Sequence, residues 1–368
     1  MIKRHAPCLG PLIWILLCSS ATAQDLKFTN KAGATTTFYG QINLTYQGVD
    51  DGTDSYSDLV DNSNSVSRLG FRIESAPSDN KLMFNFETSL GLVNTSDTSQ
   101  IDDTEWIDWQ KTDIRKLEVS FSGDFGAIWF GQGSMATDGA AEVDNSGTSV
   151  AGYVNLPDTA GGYQFRSASE LSGITIGDTF KDFDGGRRFR LRYDTPSWSG
   201  VTFSAAYGQE VLNEDDDADY YDMAVRYKFD NDTFGIDTAL GYSWKDDQGT
   251  TTEYLITSGT IIHKPTGANV TIAAGNNQSG DESYYYAKLG WSGRIFGVGG
   301  TDISADYYDG SDFEVIGSSS SSWGIQAVQY FDDLNLEAYL GYRSFVFDEE
   351  SADYQDLSSL LVGARWKF

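Results

Sequence analysis

The chain has 368 residues, a formal net charge of −29, 14% aromatic residues, 39 glycines and only 6 prolines. A charge of that sign and size excludes nucleic acid as a partner. The two cysteines, Cys8 and Cys18, both fall in the first segment, so the remaining chain has no disulfide and no cysteine-based metal site.

That first segment, residues 1–23, has the layout of an export signal. A basic start (Lys3, Arg4) precedes a short apolar core, Leu9 to Leu17, and Ala21-Thr22-Ala23 supplies the cleavage pattern before Gln24. The apolar core is too short to span a bilayer as a helix. Leu17 before Cys18 argues against lipidation, which usually has a small residue there. Removing Lys3 and Arg4, and no acids, takes the charge to −31. Residues 24–368 then form a single domain. No later stretch approaches the apolar length of a spanning helix, so a membrane-spanning reading requires a β-barrel.

In chain order, strict alternation begins at Thr36–Gln47, with Phe38, Ile42, Leu44 and Tyr46 on one face and Tyr39, Gln41, Asn43 and Thr45 on the other. A polar loop leads to Ser65–Ser75, where Leu69, Phe71 and Ile73 oppose Arg68 and Arg72. Strands Lys81–Gly91, Asp113–Ser122 and Gly126–Gly133 follow.

Alternation then stops from Ser134 to Gly186, a stretch rich in Gly and Ser with scattered acids, Asp138, Glu142, Asp144 and Asp158. It returns at Arg187-Arg188-Phe189-Arg190-Leu191-Arg192, which puts Arg188, Arg190 and Arg192 on one strand face. The strand from Val201 and nine further candidates follow: Asp219–Phe229, Phe234–Trp244, Glu253–His263, Ala268–Asn276, Glu282–Trp291, Gly299–Tyr308, Ser322–Phe331, Leu334–Phe345 and Leu357–Phe368. The total is about sixteen, an even number of strands long enough to cross a bilayer at a tilt.

Short turns alternate with long acidic connections, among them Leu92–Thr112, Glu210–Ala218, Lys245–Thr252, Asp309–Ser321 and Val346–Asp356. That sorting is expected of a membrane barrel with short periplasmic turns and long external loops. A secreted sandwich, propeller or solenoid has no reason for it. Tyr46, Tyr207, Phe229, Phe234, Trp244, Trp291, Phe331 and Trp366 sit at strand ends, as aromatic girdles do.

The last strand ends in Phe368, with Trp366, Ala364, Val362 and Leu360 on its face. It looks like the terminal assembly strand of outer-membrane barrels, with Phe368 and Trp366 as the signal. Together with the leader, the strand count and the inserted third loop, the chain resembles the general bacterial porin superfamily of Gram-negative outer membranes. Phe183-Asp184-Gly185-Gly186-Arg187-Arg188 and Arg192-Tyr193-Asp194-Thr195-Pro196-Ser197 are similar to its α-proteobacterial-type branch. The enterobacterial Pro-Glu-Phe-Gly-Gly loop motif is absent. The resemblance implies a homotrimer in the outer membrane, with one water-filled pore per subunit and the third loop, 134–186, folded into each lumen.

If the apolar faces meet lipid, Arg68, Arg72, Arg188, Arg190, Arg192, Arg343 and Arg365 line water, since an arginine facing lipid at mid-membrane costs about 2–4 kcal/mol. Opposite them stand Asp138, Glu142, Asp144 and Asp158 of the third loop. Charges so separated form a constriction with a transverse field that passes small hydrophilic solutes and ions, with a weak preference for cations. The acidic runs Asp102-Asp103 and Asp215-Asp216-Asp217-Asp219 are candidate Ca²⁺ or Mg²⁺ ligands, bridging to lipopolysaccharide phosphates, or plain solvated charge. No cofactor is expected. An enzyme is not expected either, since His263, the one histidine after the leader, lies beside a predicted periplasmic turn. Two alternatives stay open: a substrate-specific channel for a sugar or small organic acid, with inward Tyr39, Tyr308 and Tyr339 as scattered candidates for a sugar track, and an adhesin or receptor barrel.

Overall fold

The structure is a computed structural model and describes residues 26–101 and 105–368. The leader and the pair Asp102-Asp103 lie outside the described residues. No helix among them is long and apolar enough to cross a membrane.

Sixteen antiparallel strands close into a barrel. They are Thr35–Asp50, Arg68–Ser75, Lys81–Ser89, Ile114–Gly123, Gly126–Ser134, Arg187–Asp194, Val201–Gln209, Asp219–Asp230, Phe234–Asp247, Thr250–His263, Ala268–Asn277, Ser283–Gly293, Thr301–Ser311, Ser319–Phe331, Leu336–Asp348 and Leu357–Lys367. Each pairs with its sequence neighbour, and the last pairs with the first from Gln41↔Lys367 to Asp50↔Ser358. The seam is finished by Gly40 and Phe368, which exchange backbone hydrogen bonds at 3.0 and 3.1 Å. Closure leaves no unpaired edge, which a bilayer would penalise heavily.

Two further strands extend the long first strand. Leu26–Thr29 pairs with its start, beyond the end of the C-terminal strand, and Ser55–Asp61 pairs with its upper half. The connections sort by length. One rim has the short turns 76–80, 124–125, 195–200, 231–233, 264–267, 294–300 and 332–335, and the other has most of the longer loops, with the five-residue connection 278–282 short among them. The acidic loop expected over Lys245–Thr252 is shorter still. The ladder continues to Asp247↔Thr250, and only Gln248 and Gly249 turn, both at positive φ (51° and 90°). That geometry matches the twist of a two-residue hairpin.

Side chains alternate as period-2 patterning demands. In Arg187–Asp194 the outward Phe189, Leu191 and Tyr193 are 40–56% exposed in the isolated chain, while Arg190 between them is 2% exposed. The apolar residues that are fully buried lie inside the barrel, where strand residues Tyr284, Tyr308, Phe345 and Phe347 meet Leu156, Tyr163, Phe165, Ile176 and Phe180 of the third loop. Each such side chain contributes about 1.5–3 kcal/mol when buried, so the loop is held by a core of its own.

Candidate functional site

The third loop, Met135–Gly186, runs round the inside of the wall and doubles back. Its outward leg is fixed by inward polar residues of successive strands. Asp222 accepts from the Ala136 and Thr137 amides at 3.1 and 2.7 Å, and Arg226 donates to the Ala136 and Asp138 carbonyls at 2.7 and 2.9 Å. Ser258 bridges the Ala140 carbonyl and the Val143 amide. Lys288 Nζ, fully buried, donates to Asp144 at 2.6 Å and to the Gly152 carbonyl at 2.8 Å. Tyr330, Asn62 and Gln47 then donate to the carbonyls of Gly147, Val150 and Thr159.

The return leg is more regular than its sequence suggests. Two short helices, Pro157–Ala160 and Ile176–Thr179, flank a hairpin of Gln164–Ser167 and Glu170–Thr175. The last external loop adds Tyr354–Gln355 to that hairpin as a third strand. Arg166 ties the hairpin to the first loop through a 2.7 Å pair with the fully buried Asp51. Asp184 closes the circuit, accepting from the Gly139 and Ala141 amides at 2.5 and 2.7 Å. Gly341 marks a close approach of loop backbone to wall, since an added Cβ would lie 2.3 Å from the Ala151 carbonyl oxygen. Backbone cannot yield there as a flexible side chain would. Gly341→Leu is expected to lift the Val150–Gly152 segment and cost about 1–3 kcal/mol, read as a lower midpoint of thermal unfolding.

The ties of the outward leg run from Asp222 round to Gln47, and on the strands outside that arc Arg68, Arg115 and Arg187 keep 24%, 22% and 34% of their side-chain surface exposed. Two groups of opposite charge meet here. On the loop, Glu142, Asp158, Asp182 and Asp184 crowd together. Burial, then repulsion from Asp184, Asp182, Asp158 and Asp138, pushes the Glu142 carboxyl well above the ordinary range. Burial, then Asp182 and Asp138, does the same to Asp184, outweighing its two amide donors. Asp182 is also raised by burial. Asp158 is pushed to about 7 by burial, against the 2.6 Å hydrogen bond from the Tyr153 hydroxyl and the charge of Arg115. On the wall, Arg68 and Arg115 flank Glu87 at 3.8 and 2.8 Å. Arg187 is the electrostatic neighbour of both and lies 3.9 Å from Asp138.

The expected residues divide accordingly. Asp138 lies 3.9 Å from Arg187, Glu142 and Asp158 stand in the acidic group, and Arg68 lies beside Glu87. Arg72 is inward, 5.6 Å from the Tyr39 ring. Arg188 pairs with Glu210 at 3.4 Å and stacks on Tyr220, and Arg192 pairs with Asp194 and the Met135 carbonyl. Arg365 is held by Glu337.

Three of the expected lumen residues belong elsewhere. Arg190 is buried against Glu118 and the Gly131 and Ser134 carbonyls, at the root of the loop. Arg343 is 2% exposed and paired to Asp306 at 2.8 Å under the loop, and Asp144 is turned to the wall by Lys288. Arg190 lies along the wall against the strands beside it, whereas for Arg343 and Asp144 the loop lies so close to the wall that facing inward means facing protein. The possible sugar track fails for the same reason: Tyr308 and Tyr339 are 0% and 4% exposed.

Arg115 and Arg187 escaped the sequence reading because alternation assigns both to the lipid face. A register shift between Glu87 and Thr88 frees Arg115 to donate inward to Glu87, as bulges re-aim side chains. Arg187 opens its strand, where the loop ends.

Among the described residues, no group of three or more His, Cys, Asp or Glu side chains could hold a metal ion. Asp216 and Asp219, two of the expected ligands, are engaged by Tyr220 and by Tyr207 with Gln209. Trp366 and Phe368 face outward, rings 5.1 Å apart. His263 bonds Thr266 at its turn, 2.8 Å away.

A closed sixteen-strand barrel with an apolar outer belt, and with a charged passage beside an inserted loop, defines the class as an outer-membrane β-barrel channel protein. Residues 12–349 match the family of Gram-negative porins, and the chain belongs to that family. It is therefore a porin of the bacterial outer membrane, and not an enzyme. No curated protein matches it. Among solved structures, it is similar to the anion-selective porin from Comamonas acidovorans (18% identity, 91% of this chain and 100% of that one, TM-score 0.61). It is also similar to Pseudomonas putida OprB (9% identity, 90% and 94%, TM-score 0.60). A trimer form of Vibrio cholerae OmpT matches as well (13% identity, 91% and 99%, TM-score 0.55). At these identities the likeness is one of fold.

Proposed function

We propose that this porin is a general diffusion channel for small hydrophilic solutes and ions, with a charged constriction and a weak preference for cations. The observation that carries the reading is the nearness of the loop carboxylates Glu142, Asp158, Asp182 and Asp184, with Asp138, to the wall arginines Arg68, Arg115 and Arg187 inside the barrel. Separated charges order water across a passage, so a polar solute keeps favourable contacts while an apolar one loses them. The cation preference is supported by the overall charge of −29; the arginines oppose it locally and keep it weak.

A homotrimer within outer-membrane lipid and lipopolysaccharide is part of the proposal, with Phe368 and Trp366 as the assembly signal. It is supported by the exposed apolar outer belt and by the trimer form of the similar Vibrio barrel. The test is single-channel recording in a planar bilayer with the reversal potential under a KCl gradient. Large steps in groups of three, conductance linear in KCl and a small reversal potential of cationic sign are expected. A barrel that inserts without conducting would point to a receptor or adhesin instead.

A further inference from the structure

We propose that Phe183 is a positioning residue for the passage: held in a strained backbone conformation by an aromatic seat on the wall, it fixes where the flanking Asp182 and Asp184 stand in the acidic group. The proposal deepens the diffusion-channel reading and rests on it.

Phe183 has a φ of 56°, in the left-handed region that disfavours a bulky side chain. Such a conformation persists only where the surroundings over-determine it. Here they do. The Phe183 ring stacks on Tyr254 of the wall, centroids 4.9 Å apart and planes at 18°. It meets Tyr284 at 5.9 Å and Phe313 of the external loop 312–318 at 5.6 Å. The ring sits between two buried clusters, one around Tyr284 and Tyr308 and one of Ala140, Ala141, Ala239 and Ile256. Two residues earlier, the Tyr308 hydroxyl donates to the Lys181 carbonyl at 2.6 Å and accepts from the Lys181 amide at 3.2 Å.

With the ring committed to the wall, the two acids are committed to the loop. Asp184 accepts from the Gly139 and Ala141 amides, and Asp182 accepts from the Asp184 amide at 3.1 Å. Asp182 is 9% exposed. The groups around the pair are Glu142, Asp138 and Asp158, with Lys181, Arg226, Tyr284 and Tyr308. Acids outnumber cations there, so in this seat the pair resists ionisation. Released to water, each carboxyl would ionise in its ordinary range.

The test is the cation-to-anion permeability ratio of the purified channel in planar bilayers, under a KCl gradient at pH 6. Wild type is compared with Phe183→Ala, Phe183→Gly and Phe313→Ala. Alanine removes the ring and is itself disfavoured at a left-handed φ, so the turn relaxes. Glycine also removes the ring but keeps that conformation without steric cost. Phe183→Ala is expected to raise the ratio about twofold, as one added charge about 8 Å from the ion path in water would. Phe183→Gly should raise it less. Phe313→Ala, which loosens the seat from the external loop and leaves the turn unaltered, should shift the ratio the same way, and it serves if the Phe183 variants fail to assemble. In a chain carrying Asp182→Asn and Asp184→Asn, adding Phe183→Ala should change nothing. A wild-type ratio in Phe183→Ala and Phe313→Ala, a shift in Phe183→Gly as large as in Phe183→Ala, or a shift that survives the two asparagines would each overturn the positioning role and leave the porin reading standing. A wild type that inserts without conducting would instead sink the diffusion-channel reading, and the proposal with it.

Discussion

Replacing Lys288 with methionine is expected to loosen the third loop while leaving the barrel folded. The Lys288 ammonium is 0% exposed and Asp144 is 4% exposed, so neither charge is solvated. The pair holds because the geometry is close to saturated: Lys288 Nζ also donates to the Gly152 carbonyl and, at 3.3 Å, to Thr148. Burial opposes ionisation of Asp144, yet Lys288 and the Ser146 donors hold its carboxyl below the ordinary range.

Removing one partner of such a pair leaves a buried, uncompensated charge and costs about 3–5 kcal/mol. The cost falls on the loop, because the strand ladders do not pass through it and local opening has its own free energy. The expected signature is cleavage within 135–186 by protease added on the external side, together with open-channel noise absent from the wild type. Lys288→Met combined with Asp144→Asn should recover much of the quiet behaviour, since it leaves no orphan charge. A Lys288→Met channel as quiet and as resistant as the wild type would show that the aromatic core and the remaining ties, such as Asp222, Arg226 and the Arg166–Asp51 pair, hold the loop without Lys288.

The barrel was legible in the sequence because its physics is local. Each strand alternates, each short turn carries Asp, Asn, Gly or Pro, and all sixteen strands are found within a few residues of the expected places. The loop's acids were legible as types but not as partners. Asp144 and Asp158 look alike in sequence, yet one meets Lys288 and the other meets Tyr153, because the path of an irregular segment is set by distant strands. Lys288 itself lies on the expected inward face of Ser283–Gly293, and its burial became visible only with the loop in place. Arg115 and Arg187 were lost for different reasons. Period-2 reasoning assumes an unbroken ladder, and for Arg115 the shifted register at Glu87/Thr88 reverses its face. Arg187 stands at the first position of its strand, where the irregular loop ends and alternation has only begun.

The pore's ion preference is expected to depend on pH through the range around 7, weakening as pH falls. Asp158 titrates at about 7, against an ordinary value of 3.8, because burial disfavours its charged form. The charged groups facing it are Asp182 and Asp97, which raise it further, and Arg115, which lowers it; Tyr153 donates to its charged form. The sign follows from the raised value. A carboxyl with an elevated folded pKa supports the fold most at pH below its ordinary range, and that support is lost as pH rises through about 7. Ionisation at high pH therefore adds negative charge to the passage and strains the loop together.

Under a KCl gradient, the reversal potential should move toward zero as pH is lowered from 8 to about 6. Asp158→Asn should remove the step near 7 and hold the potential near its acid value. Tyr153→Phe, which deletes the donor to the charged form, should move the step to higher pH. A reversal potential flat from pH 6 to 8 in the wild type would mean that Asp158 lies outside the path of the ions. A step unaltered in Asp158→Asn would pass its origin to the coupled group of Glu142, Asp182 and Asp184, whose carboxyls burial also raises.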